Sequence, residues 1–129
     1  MKLYREFDDQ AQLDAEYDVF APEDDPLGLL AKHVALSNEV RAAQELRPHI
    51  PYGLTRPEYL DVYPAADPHA PVVVFFHGGW WTIPNTAEDH GLVAKGLVAR
   101  GVTTVIVNYT LAPVASIDEI VRQARAAVV

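Results

Sequence analysis

The chain has 129 residues and a net charge of −8, and half of its residues are hydrophobic, 22% are charged and none is cysteine. The length fits one domain and excludes a second of comparable size, the composition excludes disorder, and the missing cysteines exclude disulfides, cysteine-ligated metal sites and a cysteine nucleophile. The charged start and the absence of any apolar run near ~18 residues predict a cytoplasmic protein without a membrane span, and the acidic excess disfavours nucleic acid as a partner.

Most of the negative charge lies at the amino terminus, where residues 1–25 carry nine acidic and two basic side chains. Hydrophobic residues are interspersed among these charges, which predicts an acidic arm with a short helix that Pro22 and Pro26 end. The run EDD at 23–25 lacks the alternating oxygen ligands, turn glycine and closing glutamate of a calcium loop. We therefore interpret it as a group of solvated charges and expect no metal site.

From Leu27 to Leu46 the sequence is rich in helix formers, and apolar residues recur at steps of three and four. This pattern predicts an amphipathic helix with a break near Ser37. A proline-rich stretch follows, in which residues 50–52 and 59–63 are expected to form short edge strands. We assign residues 1–48 to the acidic arm and helix, and residues 49–129 to a partial α/β domain.

The sequence changes character at VVVFFH, residues 72–77, a continuous β-branched and aromatic run that predicts a strand covered on both faces. Residues 86–100 read as a helix, and VTTVIVN at 102–108 reads as a second buried strand. Ser116 precedes Glu119 at capping-box spacing and begins a further helix. Strand, helix, strand and helix in this order predict an α/β fold with parallel strands and right-handed crossover helices.

The predicted sheet is unfinished at its carboxyl end. The last helix runs into AAVV without a glycine, a proline or a C-cap, and each buried-type strand needs neighbours that these residues do not supply. The sequence therefore reads as the front half of a larger domain. Its open sheet edge is expected to pair with a second copy of the chain or with a complementary chain.

The segment most informative about function is FFHGGWW, at the junction between a predicted strand and a helix. Ligands of open α/β sheets bind at the carboxyl ends of strands. Two successive glycines let the backbone turn sharply and bring N–H groups close to an anionic oxygen, as acyl transfer requires. Phosphate loops fit less well, because neither GxGxxG nor GxxxxGK[ST] is present.

This segment, HGGWW at 77–81, resembles the HGGG or HGGxW oxyanion-hole loop of α/β-hydrolase esterases, lipases and amidases. NYTLAP at 108–113 is similar to the segment that follows the next strand in the same group. Among subfamilies the chain is most similar to the kynurenine formamidase (arylformamidase) type, and the likeness runs from about Tyr52 to the end. The third glycine of the lipase loop is missing.

The resemblance implies a hydrolase fold, no cofactor and a small ester or aryl formamide as substrate. It also implies a role for each matching residue of the loop. Gly78, Gly79 and Trp80 would form the oxyanion hole, His77 would support the loop by hydrogen bonds, and Trp81 and Tyr109 would line the substrate pocket.

The catalytic triad of that family has no counterpart in these residues. Only Ser37 and Ser116 are serines, neither lies in a GxSxG elbow, and in the family the elbow follows the next strand, after Val129. We therefore expect the chain to be truncated before the nucleophile and to be inactive alone. His33, His49, His69 and His90 lack metal-site spacing.

Two alternatives to a hydrolase fragment remain open at this stage. The chain is read either as a non-catalytic product, from a pseudogene or as a subunit that needs a complementary chain, or as a small α/β ligand-binding domain. A receiver-like domain of the second kind places carboxylates at its strand ends, whereas the strands here end in His77 and Asn108.

Overall fold

A computed structural model of the protein describes residues 3–18, 20–21 and 24–129. The chain divides into two compact units, Met1–Lys32 and His33–Val129. The domain limit expected between residues 48 and 49 stays a prediction. Pro22 and Glu23, on which part of the interpretation of the acidic arm rests, lie outside the described residues.

The first helix, α1, spans Gln10–Tyr17, so the short helix expected in the acidic arm is confirmed. It begins at Asp9, whose carboxylate accepts the N–H of Ala11 at 2.9 Å. The second helix, α2, spans Pro26–Ala43. Pro26 is the first residue of this helix, a position where proline is tolerated because the first helical turn needs no N–H donor.

The break expected near Ser37 is wrong, since α2 continues through it. The Ser37 hydroxyl is buried, donates to the carbonyl of Asp89 at 2.7 Å and accepts the N–H of Leu92 at 3.1 Å. Because the Ser37 hydroxyl bonds to groups outside its own helix, it does not compete for the backbone carbonyls of α2, and the helix continues.

Four strands form one mixed sheet in the described part of the chain, in the order β1-β2-β4-β3. Neighbours β1–β2 and β2–β4 are antiparallel, and β3–β4 is parallel. The expected α/β architecture is present, but parallel pairing is limited to the pair of β3 and β4. The strands are β1, Arg47–Pro51; β2, Tyr59–Tyr63; β3, Val72–Phe76; and β4, Thr103–Val107.

The expectation that residues 59–63 form an edge strand is wrong, because β2 lies between β1 and β4. Its central residue, Asp61, is fully buried, although an aspartate in a sequence usually indicates an exposed position. The Arg41 guanidinium of α2 forms an ion pair with this carboxylate. A buried charge is tolerated only when it is paired and hydrogen-bonded, as this one is.

The two strands predicted to be buried on both faces, β3 and β4, differ in how much of each is exposed. The central strand β4 is mostly buried, as its sequence predicts. In contrast, Val72, Val73, Val74 and Phe76 of β3 are all exposed, so the prediction of a strand covered on both faces is wrong for this structure. The strand β3 has no neighbour on its outer side among the described residues, and of its side chains only Phe75 packs against the core.

The connection from β3 to β4 contains a 3₁₀ turn, Ala87–His90, followed by helix α3, Leu92–Val98. The single helix expected over residues 86–100 is thus divided at Gly91. After β4, helix α4 spans Ile117–Ala126 and begins at Ser116, whose side chain accepts the N–H of Glu119. This confirms the predicted cap. The core between the sheet and its helices contains Val40, Tyr63, Ala87, Ala94 and Ile106.

None of the described helices combines the length and the apolarity needed to cross a bilayer.

Candidate functional site

The site predicted from the sequence lies where β3 and β4 end. Because these strands are parallel neighbours, their carboxyl ends meet at one edge of the sheet. His77 follows β3 there, and Asn108 and Tyr109 follow β4. The structure thus brings together the HGGWW loop and the start of the NYTLAP segment.

Tyr109 and His77 are joined by two contacts. The Tyr109 hydroxyl donates to the backbone carbonyl of His77 at 2.6 Å, and the two rings stack with centroids 4.4 Å apart and planes 11° apart. Both residues are buried, and burial lowers the pKa of His77. In the neutral ring favoured by this shift, Nδ1–H donates to the carbonyl of Gly78 at 3.0 Å.

His77 also belongs to a row of three imidazoles. His90 of the 3₁₀ turn stacks on it with centroids 5.3 Å apart, and His33 of α2 meets His90 edge-on at 5.1 Å. The Nε2 atoms of His33 and His77 are buried, with no hydrogen-bond partner among the described residues. Burial also lowers the pKa of His90. Sequence reasoning missed this row, because its members come from three separate elements.

Gly79 has a φ of +120°, which the backbone of an L-residue rarely adopts. Its carbonyl accepts the N–H groups of Thr82 at 3.0 Å and Ile83 at 2.8 Å, closing the turn. A Cβ at Gly79 would lie 3.0 Å from Nδ2 of Asn85, which itself donates to the Gly78 carbonyl at 3.2 Å. The loop therefore requires glycine at this position.

The two tryptophans also have positive φ values, +52° for Trp80 and +59° for Trp81. Left-handed backbone at residues with a Cβ costs about 1–3 kcal/mol and concentrates at binding and catalytic sites. The Trp81 carbonyl accepts the N–H of Ala112 at 2.8 Å, which ties the loop to the segment after β4. Sequence reasoning placed both indoles at the site but missed this backbone conformation.

A cavity of about 310 Å³ opens at the loop. Both indoles are about half exposed there, whereas Tyr109 is only 6% exposed. The residues around this cavity are all of those predicted for the site: His77, Gly78, Gly79, Trp80, Trp81 and Tyr109.

The Gly79 N–H donates to no acceptor within residues 3–18, 20–21 and 24–129. A backbone N–H at the mouth of a cavity, beside a strand end, is suited to bind an oxygen that gains negative charge during a reaction. The serines offer no nucleophile nearby, because Ser37 is bonded within the core and Ser116 caps α4. The described residues also contain no group of three His, Asp or Glu side chains placed to hold a metal ion.

Asn108 is a residue of this edge whose structural role the sequence did not reveal. Its side chain accepts the N–H of Ala87 at 3.1 Å and donates to the carbonyl of Pro57 at 2.9 Å. Tyr52 donates its hydroxyl to the Asn108 carbonyl at 2.7 Å. Asn108 thus connects the end of β4 to the 3₁₀ turn and to the loop before β2.

Comparison with known proteins identifies the fold family. The family model described as the alpha/beta hydrolase fold matches residues 73–129. Kynurenine formamidase of Danio rerio is 36% identical over 95 residues, which cover 72% of this chain and 32% of that protein. Kynurenine formamidase of Salmo salar is 39% identical over 83 residues, covering 63% and 28%. The chain spans about a third of the length of these relatives.

Solved structures show the same fold. A putative thioesterase from a Silicibacter species aligns with a TM-score of 0.84 and 24% identity, over 91% of this chain and 45% of that one. Esterase B from Lactobacillus rhamnosis aligns with a TM-score of 0.56 and 16% identity, over 92% and 36%.

Proposed function

Since this chain belongs to the α/β-hydrolase fold family, we propose that HGGWW, residues 77–81, is the oxyanion-hole loop of a serine hydrolase acting on carboxylic esters or aryl formamides. The observation that carries this proposal is the backbone of Gly79, which lies at the carboxyl end of a parallel strand. It has a φ of +120°, and its N–H is unbonded among the described residues. The names of the relatives, formamidases and esterases, support the same substrate class. We propose the cytoplasm as its location.

In acyl transfer, the substrate carbonyl oxygen becomes negatively charged as the nucleophile adds to the carbon. The N–H groups of Gly79 and Trp80 would donate hydrogen bonds to that oxygen, and each such donor stabilises the transition state by about 2.7–4 kcal/mol. Gly78 would complete the turn that presents them. Trp81 and Tyr109 would bound the space that holds the acyl or aryl group, while His77 would hold the loop and take no proton.

The nucleophile, acid and base of this hydrolase would come from residues outside these 129. The proposal predicts that the 129-residue chain by itself hydrolyses neither p-nitrophenyl acetate nor N-formylkynurenine above the buffer rate. Turnover that a serine-directed phosphonate abolishes would contradict it, because that result requires a serine nucleophile within the chain.

A chimera tests the positive half of the proposal. This chain would replace the matching segment of the Danio rerio formamidase, whose remaining residues supply whatever else that activity requires. We expect the chimera to hydrolyse N-formylkynurenine, because the inserted chain would present the same backbone N–H donors as the segment that it replaces. A chimera that is folded by circular dichroism and yet inactive would count against the assignment.

The exposed β3 strand supports a second candidate role, as a subunit that needs a complementary chain. Four of its five side chains are exposed and its outer edge is unpaired among the described residues. Such an edge pairs readily with another strand. Sedimentation of the purified chain over a concentration series should show self-association that Val74→Lys reduces, and a monomer at every concentration would contradict this role.

A further inference from the structure

The peptide unit that joins Gly78 to Gly79 is held at its carbonyl end by two side chains. The carbonyl oxygen of Gly78 accepts Nδ1–H of His77 at 3.0 Å and Nδ2–H of Asn85 at 3.2 Å. A carboxamide donates only through its nitrogen, so this contact fixes which way the Asn85 side chain faces. Asn85 lies seven positions after Gly78, beyond the turn of the HGGWW loop.

The direction of this carbonyl sets the direction of the Gly79 N–H. The two groups belong to one planar trans peptide unit, in which C=O and N–H point to opposite sides of the chain. A carbonyl held by His77 and Asn85 therefore directs the N–H away from both side chains. Because the unit lies between two glycines, which lack a Cβ, its rotation is otherwise little restricted.

The position of Asn85 is fixed by the backbone around it. Its N–H donates to the carbonyl of Ile83 at 2.8 Å. The next residue, Thr86, donates its N–H at 2.8 Å to the carboxylate of Asp89 and so begins the 3₁₀ turn. Asn85 does not line the cavity at the loop. It would therefore influence an oxygen bound there only through the peptide unit that it holds.

The second proposed donor is held in a different way. The N–H of Trp80 belongs to the next peptide unit, whose carbonyl end is that of Gly79. That carbonyl accepts the backbone N–H groups of Thr82 at 3.0 Å and Ile83 at 2.8 Å. Since these bonds involve only backbone atoms, a substitution at Asn85 removes none of them and acts on the Gly79 donor alone.

We propose that Asn85 is a positioning residue of the oxyanion hole, whose carboxamide acts through the Gly78 carbonyl to hold the Gly79 N–H towards the substrate oxygen. This inference rests on the proposed function of the HGGWW loop. A donor that is fixed in advance stabilises developing charge without reorganisation, whereas a peptide unit that must first rotate loses part of that stabilisation. The loss should therefore affect the chemical step and not substrate binding.

Two substitutions remove the donor and nearly keep the shape of the side chain. Asn85→Asp adds a charge and Asn85→Leu does not, so an effect common to both does not come from charge. In the ¹³C,¹⁵N-labelled 129-residue chain, each should shift the Gly78 carbonyl ¹³C signal to lower frequency and change the N–H residual dipolar coupling of Gly79. The coupling of Val105, in the middle of β4, should stay unchanged. Asn38→Asp, at an exposed position of α2, is the matched control and should change neither signal.

Kinetics of the active chimera with the Danio rerio formamidase measure the catalytic consequence. Asn85→Asp and Asn85→Leu should each lower kcat for N-formylkynurenine about 10- to 100-fold, because the donor is misdirected but still present. KM should stay near its native value, as expected for an interaction made only in the transition state. Titration with a serine-directed phosphonate counts the folded active sites, so a loss of stability alone would leave kcat per site unchanged. Asn38→Asp should keep the native kcat and KM.

Failure of this inference is distinguishable from failure of the proposed function. If Gly79→Ala impairs the chimera while both Asn85 variants keep the native kcat, the inference is overturned and the oxyanion hole stands. If Gly79→Ala also keeps the native kcat, both are overturned. Unchanged Gly78 and Gly79 signals in both variants, or a higher KM at native kcat, would also overturn the inference. If one variant loses the native amide spectrum, the other decides.

Discussion

The hydroxyl of Tyr109 lies 2.6 Å from the backbone carbonyl of His77, and the two rings stack at 4.4 Å. Tyr109 follows the inner strand β4 and His77 follows its parallel neighbour β3, so a single side chain ties the start of the HGGWW loop to the segment after β4. This pair is buried, whereas both indoles of the loop are about half exposed.

Tyr109→Phe should remove this hydrogen bond and keep the ring stack. We expect a loss of about 1 kcal/mol in the free energy of unfolding, measured by urea denaturation. Tyr109→Ala should cost about 3–5 kcal/mol, because it also empties a buried ring site. Tyr4→Phe, at an exposed position, is the control and should change little. A Tyr109→Phe variant as stable as the native chain would show that the bond contributes nothing.

The two glycines of the loop should respond differently to alanine. A Cβ at Gly79 meets Asn85 at 3.0 Å on a backbone with a φ of +120°, whereas a Cβ at Gly78 meets nothing within 4 Å. Gly79→Ala should therefore destabilise the chain by about 1–3 kcal/mol and Gly78→Ala by much less. Equal unfolding midpoints in urea for the two variants would contradict the described loop conformation.

Asp61→Ala should be among the most destabilising single changes, at about 3–5 kcal/mol. It leaves the Arg41 guanidinium without its carboxylate partner, and it removes the acceptor of the N–H of His49, a residue with positive φ. The exposed pair of Arg47 and Glu45, 3.6 Å apart, provides the contrast. Glu45→Ala should change the free energy of unfolding by less than about 1 kcal/mol. Similar losses for both substitutions would be inconsistent with a buried pair.

Stability should fall as the pH drops below the ordinary histidine range. Burial lowers the pKa of His77 and of His90 from 6.5, so the unfolded chain takes up protons at a higher pH than the folded chain does. Their contribution is complete above about pH 6.5 and is lost progressively below it. The imidazole of His33 and the carboxylate of Asp89 are the other titratable groups that influence this pair.

Urea denaturation at about pH 7.5 and about pH 5.5 measures this loss. His90→Gln should reduce this loss of stability, and His69→Gln, at an exposed loop position, should not. An equal loss in the native chain and in His90→Gln would exclude protonation of His90 as its cause.

Glu88 loses its stabilising contribution in a separate, lower pH range. Burial opposes its ionisation, but hydrogen bonds from Thr86, Tyr59 and His49 lower its pKa to about 2, so its contribution begins to disappear only below about pH 4.5.

Local sequence signals predicted the elements that carry the site. The β-branched run of β4, the capping serine of α4 and the glycine pair after β3 each depend on neighbours in sequence, and the structure has a strand, a helix start and a turn at these positions. Prediction failed where a residue's environment comes from far along the chain. Asp61 reads as an exposed strand residue, because Arg41, its partner, lies 20 positions earlier.

The exposure of β3 has a related cause. Its sequence, VVVFF, is suited to burial on both faces, but burial depends on neighbouring elements, and the described residues supply a strand on one side only. Sequence patterns could not predict the row of three imidazoles, because His33, His77 and His90 have no regular spacing. They also could not predict the positive φ of His49, because this conformation accompanies a hydrogen bond to Asp61, which lies 12 positions later.

The measurement that tests the proposed oxyanion hole most directly is kcat for N-formylkynurenine in the active chimera, compared between Gly79→Ala and Gly101→Ala. Gly101 also has a positive φ, +75°, but lies in the turn before β4, so it controls for backbone strain alone. Gly79→Ala should lower kcat about 100- to 1,000-fold through the displaced donor, while Gly101→Ala keeps the native kcat. A Gly79→Ala chimera that retains the native kcat, or loses no more than Gly101→Ala, would contradict the account.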